Sequence, residues 1–309
     1  MGLMRPLYNN ELAAEFAKGI LGFSGECEIA KAVDSIVCAE LQLDKTQLKP
    51  TSFSPDFRNY EYRTDESRVD LREKIFDELM TKTRLDDDDS IELGKGGILP
   101  LKSEVKKERQ AFIIIGLPAS GKSSVANIIA DHYGALILDS DFAKRKFPEF
   151  RSQYGPSLVH EEASMVVFGE GSSDERSILE ACIYWKYNIV IPKIGHDSQS
   201  LLLFANALKE EKYSVHLVLV SLDRVKATQR AYRRYKETGR YVPLSKIIDV
   251  YGNNPILSYY RVRDDACWTS YLKISTDEKV SMDNTVEKDG KRYTVIHESA
   301  LSPAKLFQK

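Results

Sequence analysis

The chain has no apolar run long enough to span a bilayer, so a membrane-spanning role is not expected of its 309 residues. The opening Met-Gly-Leu-Met-Arg-Pro is not followed by an apolar h-region, and Pro6 stands where a myristoylation signal wants Ser or Thr. Cysteine is scarce. Cys27, Cys38, Cys182 and Cys267 lie far apart without C-x-x-C spacing, which argues against a disulfide or zinc framework and for reduced thiols in a cytoplasmic protein. His160-Glu161-Glu162 lacks the H-x-x-x-H spacing of a zinc site. Nor is there an excess of one charge: 44 Lys and Arg face 46 Asp and Glu, a formal net charge of −2. A general basic footprint for duplex nucleic acid is therefore missing. What remains, 42% hydrophobic and 29% charged, suits a globular protein with one large or two ordinary domains.

One stretch stands out against these absences. Phe112-Ile-Ile-Ile115 runs into Gly116-Leu117-Pro118-Ala119-Ser120-Gly121-Lys122-Ser123-Ser124, and Val125–Ala130 follows as an apolar helix. This is G-x-x-x-x-G-K-[ST] in its required strand–loop–helix context, a P-loop. Its backbone N–H groups and the helix N-terminus can close on phosphate oxygens. Lys122 reaches the β and γ phosphates, and Ser123 offers its hydroxyl to Mg²⁺. Gly116–Ser124 are thus the expected nucleotide-binding residues, with Mg²⁺ and ATP or GTP as cofactors.

Downstream, strands and helices alternate. Ala135–Leu138 ends in Asp139-Ser-Asp141; a helical stretch runs from Ser157 to Trp185; Asn188–Ile191 is a strand. A helix over Ser198–Lys212, a strand over Val215–Val220 and a charged helix over Arg224–Thr238 follow, then Tyr271–Ile274 and a hairpin about Asp289-Gly290. The pattern predicts an α/β fold with a parallel sheet covered on both faces and a ligand crevice at the carboxyl ends of its strands. Residues 1–100 read differently: three helices, the third starting at Ser67, then an acidic Asp86–Asp89 and glycine-rich Gly94–Gly97 linker. A small all-α domain over 1–100 and a P-loop kinase domain over 101–309 are the expected units.

A kinase needs a carboxylate near the γ-phosphate, and Asp139-Ser-Asp141 is placed for it; Asp141 as a mere helix cap is the competing reading. Arg230, Arg233, Arg234 and Arg240 suit a lid over the transferring phosphoryl group, against the plainer reading of a solvated basic face. Glu175, Lys193 and His196 are candidates for an acceptor pocket. No N-K-x-D guanine motif and no strand ending in Asp-Glu is present, which disfavours switches and ATPase machines.

Taken together, Gly116–Ser124, Asp139-Ser-Asp141-Phe-Ala-Lys144, Phe147-Pro148-Glu-Phe150, Arg230 and Gly239-Arg240-Tyr-Val-Pro243 resemble the zeta-toxin family, over roughly Ala111 to Pro243. The resemblance implies Asp141 as general base, Lys122 as the P-loop lysine and Arg230 with Arg240 as the lid pair, with Arg234 on the nucleotide. Asp139, Lys144, Glu175, Lys193 and His196 are then expected at the acceptor. It also implies an ATP- or GTP-dependent kinase acting on a nucleotide sugar, typically UDP-N-acetylglucosamine. Where the family usually has an acidic residue, Gly and Thr, Pro192-Lys193-Ile194-Gly195 stands instead, so a kinase of NAD or nucleic acid ends is the alternative. Because zeta toxins are held by a helical antitoxin, residues 1–85 are expected either to inhibit the kinase in cis or to dock a partner.

Overall fold

The computed structural model describes the chain except residues 1–3, 43–48, 153–154, 172–174, 281, 283 and 309. Its first elements are α1 (Asn10–Gly19), α2 (Glu26–Gln42) and α3 (Asp65–Thr81). Asn9 caps α1 through the Glu11 and Leu12 amides. Thr64 caps α3, so that helix starts two residues before the expected Ser67. Then come β1 (Gln110–Ile115), α4 (Lys122–Tyr133), β2 (Leu136–Ile137) and α5 (Ser140–Lys146). The expected helix over Ser157–Trp185 is instead α6 (Gly155–Leu158), α7 (His160–Phe168) and α8 (Ile178–Trp185), α7 ending on the left-handed Gly169. The chain continues through β3 (Ile189–Lys193), α9 (Ser198–Glu210), β4 (Ser214–Ser221), α10 (Arg224–Thr238) and α11 (Asn254–Val262). It closes with β5 (Ser270–Ser275), β6 (Val286–Lys288) and β7 (Lys291–Glu298).

The strands form one seven-stranded sheet in the order β2-β3-β1-β4-β5-β7-β6. The first five are parallel, and β7 and β6 add an antiparallel hairpin at one edge. Every side chain of β1 from Ala111 to Ile115 is fully buried, as a central parallel strand covered on both faces requires. Among the described residues, no helix is long and apolar enough to cross a membrane.

The apolar packing does not divide at residue 100. Leu71, Ile75 and Leu79 of α3, with Ile91 and Ile98, belong to the same core as the sheet. Helices α1 and α2 join a second cluster, in which Leu7, Phe16, Ile29 and Ile36 pack against Leu117 of the P-loop, Ala231 and Tyr232 of α10, and Leu244, Ile247 and Ile248. The three N-terminal helices are therefore not one module. Nor is Asp86–Gly97 a solvated linker: Ile91 is buried, and the buried Lys146 ammonium donates to Glu78 at 2.7 Å and to the Glu92 carbonyl at 3.0 Å.

Candidate active site

The loop between β1 and α4 is shaped by close backbone approaches. A Cβ on Gly116 would lie 2.5 Å from the Val220 carbonyl, so only glycine lets the loop leave the sheet beside β4. Gly121 has φ of +95°, and its absent Cβ would meet the Thr276 methyl at 3.1 Å. Lys122 opens α4 with its ammonium folded onto the loop, donating to the carbonyls of Gly116 at 2.8 Å and Leu117 at 2.7 Å. Burial lowers its pKa to about 8, opposed by the negative charges of Asp139 and Asp141. A triphosphate would supply the counter-charge this lysine lacks. Ser123 follows in the first turn of α4. A Mg²⁺ ion takes few protein ligands and shares the rest with phosphate and water, so one hydroxyl at this place fits it. Among the described residues, no group of three or more His, Cys, Asp or Glu could hold a metal by itself.

Beyond the carboxyl end of β2 the two aspartates differ in their contacts. Asp139, and not Asp141, caps α5, accepting from the Asp141 amide at 2.9 Å. Burial and the Asp141 charge push Asp139 up to about 6. The Asp141 side chain is free of capping. It accepts from Lys144 Nζ at 2.9 Å and from Arg240 Nη2. Burial acts to raise its pKa, yet Lys144 and Arg240 outweigh it and hold the carboxyl well below the usual range.

The arginines separate in space. Arg240 spans two carboxylates, Asp141 and Asp89, the second at 3.1 Å. Arg230, expected beside it, instead donates to the Thr276 carbonyl at 2.8 Å and Thr276 Oγ1 at 3.3 Å. Arg234 is the one whose charge bears on Lys122 and Asp141; burial lowers its pKa, and its Nε has no partner among the described residues. Asp89, read from sequence as linker, also accepts from the buried Arg145 at 2.7 Å. Asp89, Arg145 and Thr276 were missed by motif reading; the only signal was the run of four aspartates.

The expected acceptor residues scatter. Lys144 lies on Asp141. Lys193 ends β3 in register with Ile115, the last residue before the P-loop, with its ammonium between the rings of Phe168 at 4.9 Å and Phe204 at 4.5 Å. Burial lowers its pKa. His196 is exposed and packs on Tyr251 with ring centroids 5.5 Å apart. Both oxygens of Glu175 accept from Arg72 of α3, at 2.6 and 2.7 Å. Arg72 also reaches Glu162, which with Glu149 and Thr51 surrounds the fully buried Arg68. Glu175 thus belongs to a network that ties α3 to α7.

The fold has known counterparts. A family model described as Zeta toxin matches residues 100–256. Among solved structures, the chain is similar to one from the PezAT chromosomal toxin-antitoxin system of Streptococcus pneumoniae. The two share 13% identity with a TM-score of 0.54, over 82% of this chain and 89% of that one. It is also similar to AvrRxo1-ORF1:-ORF2 with ATP, at 13% identity and a TM-score of 0.40 over 75% of this chain and 65% of that one. A gluconokinase from Sinorhizobium meliloti 1021 matches at 14% identity and a TM-score of 0.30, over 55% of this chain and 84% of that one. No curated protein sequence matches the chain.

Proposed function

Because the chain belongs to the zeta-toxin family and is a phosphotransferase with a hydroxyl acceptor, we propose that it moves the γ-phosphate of ATP or GTP to a hydroxyl of a nucleotide sugar such as UDP-N-acetylglucosamine, with Asp141 as base. The observation that carries this reading is the Arg240–Asp141 pair at the carboxyl edge of the sheet. In the resting site Asp141 is a weak base, since Lys144 and Arg240 occupy both its oxygens. A phosphoryl group arriving on the P-loop competes for Arg240 and relieves Asp141 of one cation, so its basicity rises when the nucleotide is in place. Lys122 leaves the Gly116 and Leu117 carbonyls for the β and γ oxygens, and Arg234 adds charge where it develops. Asp141 takes the hydroxyl proton, the acceptor oxygen bonds to the γ-phosphorus, and the bond from that phosphorus to the β–γ bridging oxygen breaks. Mg²⁺, held by Ser123, would neutralise the phosphate oxygens when bound. Asp139, Lys144, Lys193 and His196 are the residues proposed around the acceptor. Lys193 lies one strand from the P-loop, on the side of Asp141.

Inhibition in cis is proposed for α1 and α2 alone. They cover Leu117 and the outer face of α10, and hold that helix through Gln229 on the Ile20 carbonyl and Tyr235 on the Ser35 carbonyl. A separate antitoxin on the same surface is the other form of this proposal.

Labelled ATP with UDP-N-acetylglucosamine tests the reading. Asp141→Asn is expected to lower transfer by about 10²–10⁴-fold while nucleotide binding survives. Transfer undiminished in that variant would remove Asp141 as base. A chain starting at residue 49, which keeps α3, is expected to turn over faster than the whole chain; equal rates would remove inhibition by α1 and α2.

A further inference from the structure

A short 3-10 turn over Asp88–Ser90 lies outside the matched residues 100–256, yet it reaches the site through one carboxylate. The turn is held at both ends. Asp87 caps it, accepting from the Asp89 amide at 3.1 Å and from the Ser90 hydroxyl at 2.8 Å, and the buried Ile91 fixes its exit. Asp89 takes no part in that internal bonding through its side chain, which serves other elements instead.

Asp89 Oδ1 accepts from two guanidinium groups, Nη2 of Arg145 at 2.7 Å and Nη1 of Arg240 at 3.1 Å. The two donors differ in freedom. The Arg145 side chain, on α5, is 4% exposed and lies over Phe142, 5.9 Å from its ring centroid. That of Arg240, on the loop after α10, is 31% exposed. Arg145 therefore fixes Asp89, and Asp89 in turn holds Arg240. The Asp89 charge also bears on the buried Arg234, so three like-charged groups gather about one carboxylate that offsets their repulsion. The other arm of Arg240, Nη2, lies on Asp141. An arginine on an open loop has rotamer freedom to lose before it can act, and an anchored fork has lost it already.

We propose that Asp89 is a positioning residue for phosphoryl transfer and acts through Arg240: it keeps hold of Nη1 while Nη2 passes from Asp141 to the oxygens of the transferring phosphoryl group. The proposal rests on the reading of the Arg240–Asp141 pair given above, and adds the fixed point about which the guanidinium turns. Asp141 is then relieved of a cation without that cation being lost to solvent. Asp89 has two duties in this account, counter-charge for Arg145 and anchor for Arg240, and they can be separated by experiment.

The test is a double-mutant cycle in the full chain. Its readout is the rate at which labelled ATP with Mg²⁺ loses its γ-phosphate, counted both in UDP-N-acetylglucosamine and as free phosphate. Asp89→Asn leaves Arg145 an oxygen to donate to, and is expected to lower kcat about tenfold with KM for ATP changed less than about twofold. Asp89→Glu restores the charge and should stand within about threefold of wild type. Arg240→Ala is expected to cost about 10²–10³-fold, and adding Asp89→Asn to it less than about a further twofold. An unchanged kcat in Asp89→Asn, or the same tenfold loss in the Arg240→Ala background, would overturn the anchor and leave the Arg240–Asp141 reading standing. Arg240→Ala at the wild-type rate, or no loss of γ-phosphate with the wild-type chain, would overturn that reading and the anchor with it.

Discussion

Helices α2 and α3 are neighbours in sequence and of equal length, 17 residues each, yet they are fastened to the kinase in opposite ways. Helix α3 is fastened by buried charge: Arg68 is fully buried between Glu149 and Glu162, and Arg72 joins Glu162 to Glu175. Helix α2, with α1, is fastened mainly by apolar contact with α10 and Leu117, with few polar ties: Tyr235 donates to the Ser35 carbonyl and Tyr241 to the buried Glu40. A desolvated ion network holds only when complete, because removing one member strands the others without counter-charge. An apolar contact can part and re-form, each half returning to water at a graded cost. The difference makes α3 part of the sheet's own core and places α1–α2 on a separate apolar contact.

Substitutions can break this contrast or sharpen it. The largest effect is expected from Arg68→Ala, about 3–5 kcal/mol of global stability in urea unfolding, since Glu149 and Glu162 are left buried and unpaired. Its pH dependence gives a second check. Burial acts to raise the Glu162 pKa, but Arg68, Thr51 and Arg72 hold it below the ordinary value. A depressed carboxylate contributes stability above its unfolded pKa of about 4.3, and that contribution is lost as pH falls through the folded value. The wild-type chain should therefore lose stability on acidification below that point more steeply than Arg68→Ala.

Next in size is Ile75→Ala, at about 2–5 kcal/mol from the same core. Phe16→Ala removes as large a buried side chain, but from the cover. It should speed hydrogen exchange across α1 and α2 while moving the core's unfolding midpoint by less than about 0.5 kcal/mol. A global loss as large as that of Ile75→Ala would show that the cover is part of the core's cooperative unit. A small effect is also expected from Arg5→Ala, under about 1 kcal/mol, because its pair with Asp249 is partly exposed.

Legibility in the sequence followed the range of the interactions. The P-loop, the two aspartates after β2 and the hairpin about Asp289-Gly290 are local patterns, and the structure has them where the residues predict. The contacts of Asp89 are with Arg145 and Arg240, 56 and 151 positions away, and a local reading of four aspartates gives only a solvated run. Glu175 looked free for a substrate because Arg72 lies 103 positions earlier. Arg230 and Arg234 are one helical turn apart, so sequence places both in the lid; Thr276, brought in by β5, is what holds Arg230 on the β5 side of the P-loop. The division of the N-terminal helices is not legible in the sequence for the same reason, since amphipathic spacing shows that a face is buried and not what buries it.

The position of the cover along the chain has a consequence for synthesis. Translation delivers the N-terminus first, and a segment can fold or wait while the rest emerges. Residues 10–42 leave the ribosome before Leu117, and long before the stretch from Ala227 to Ile248 that they pack against. Helix α10 and its following loop therefore meet an apolar partner that is tethered to the same chain, at a high local concentration. The contact between these helices and α10 is thus made within one molecule as its synthesis is completed.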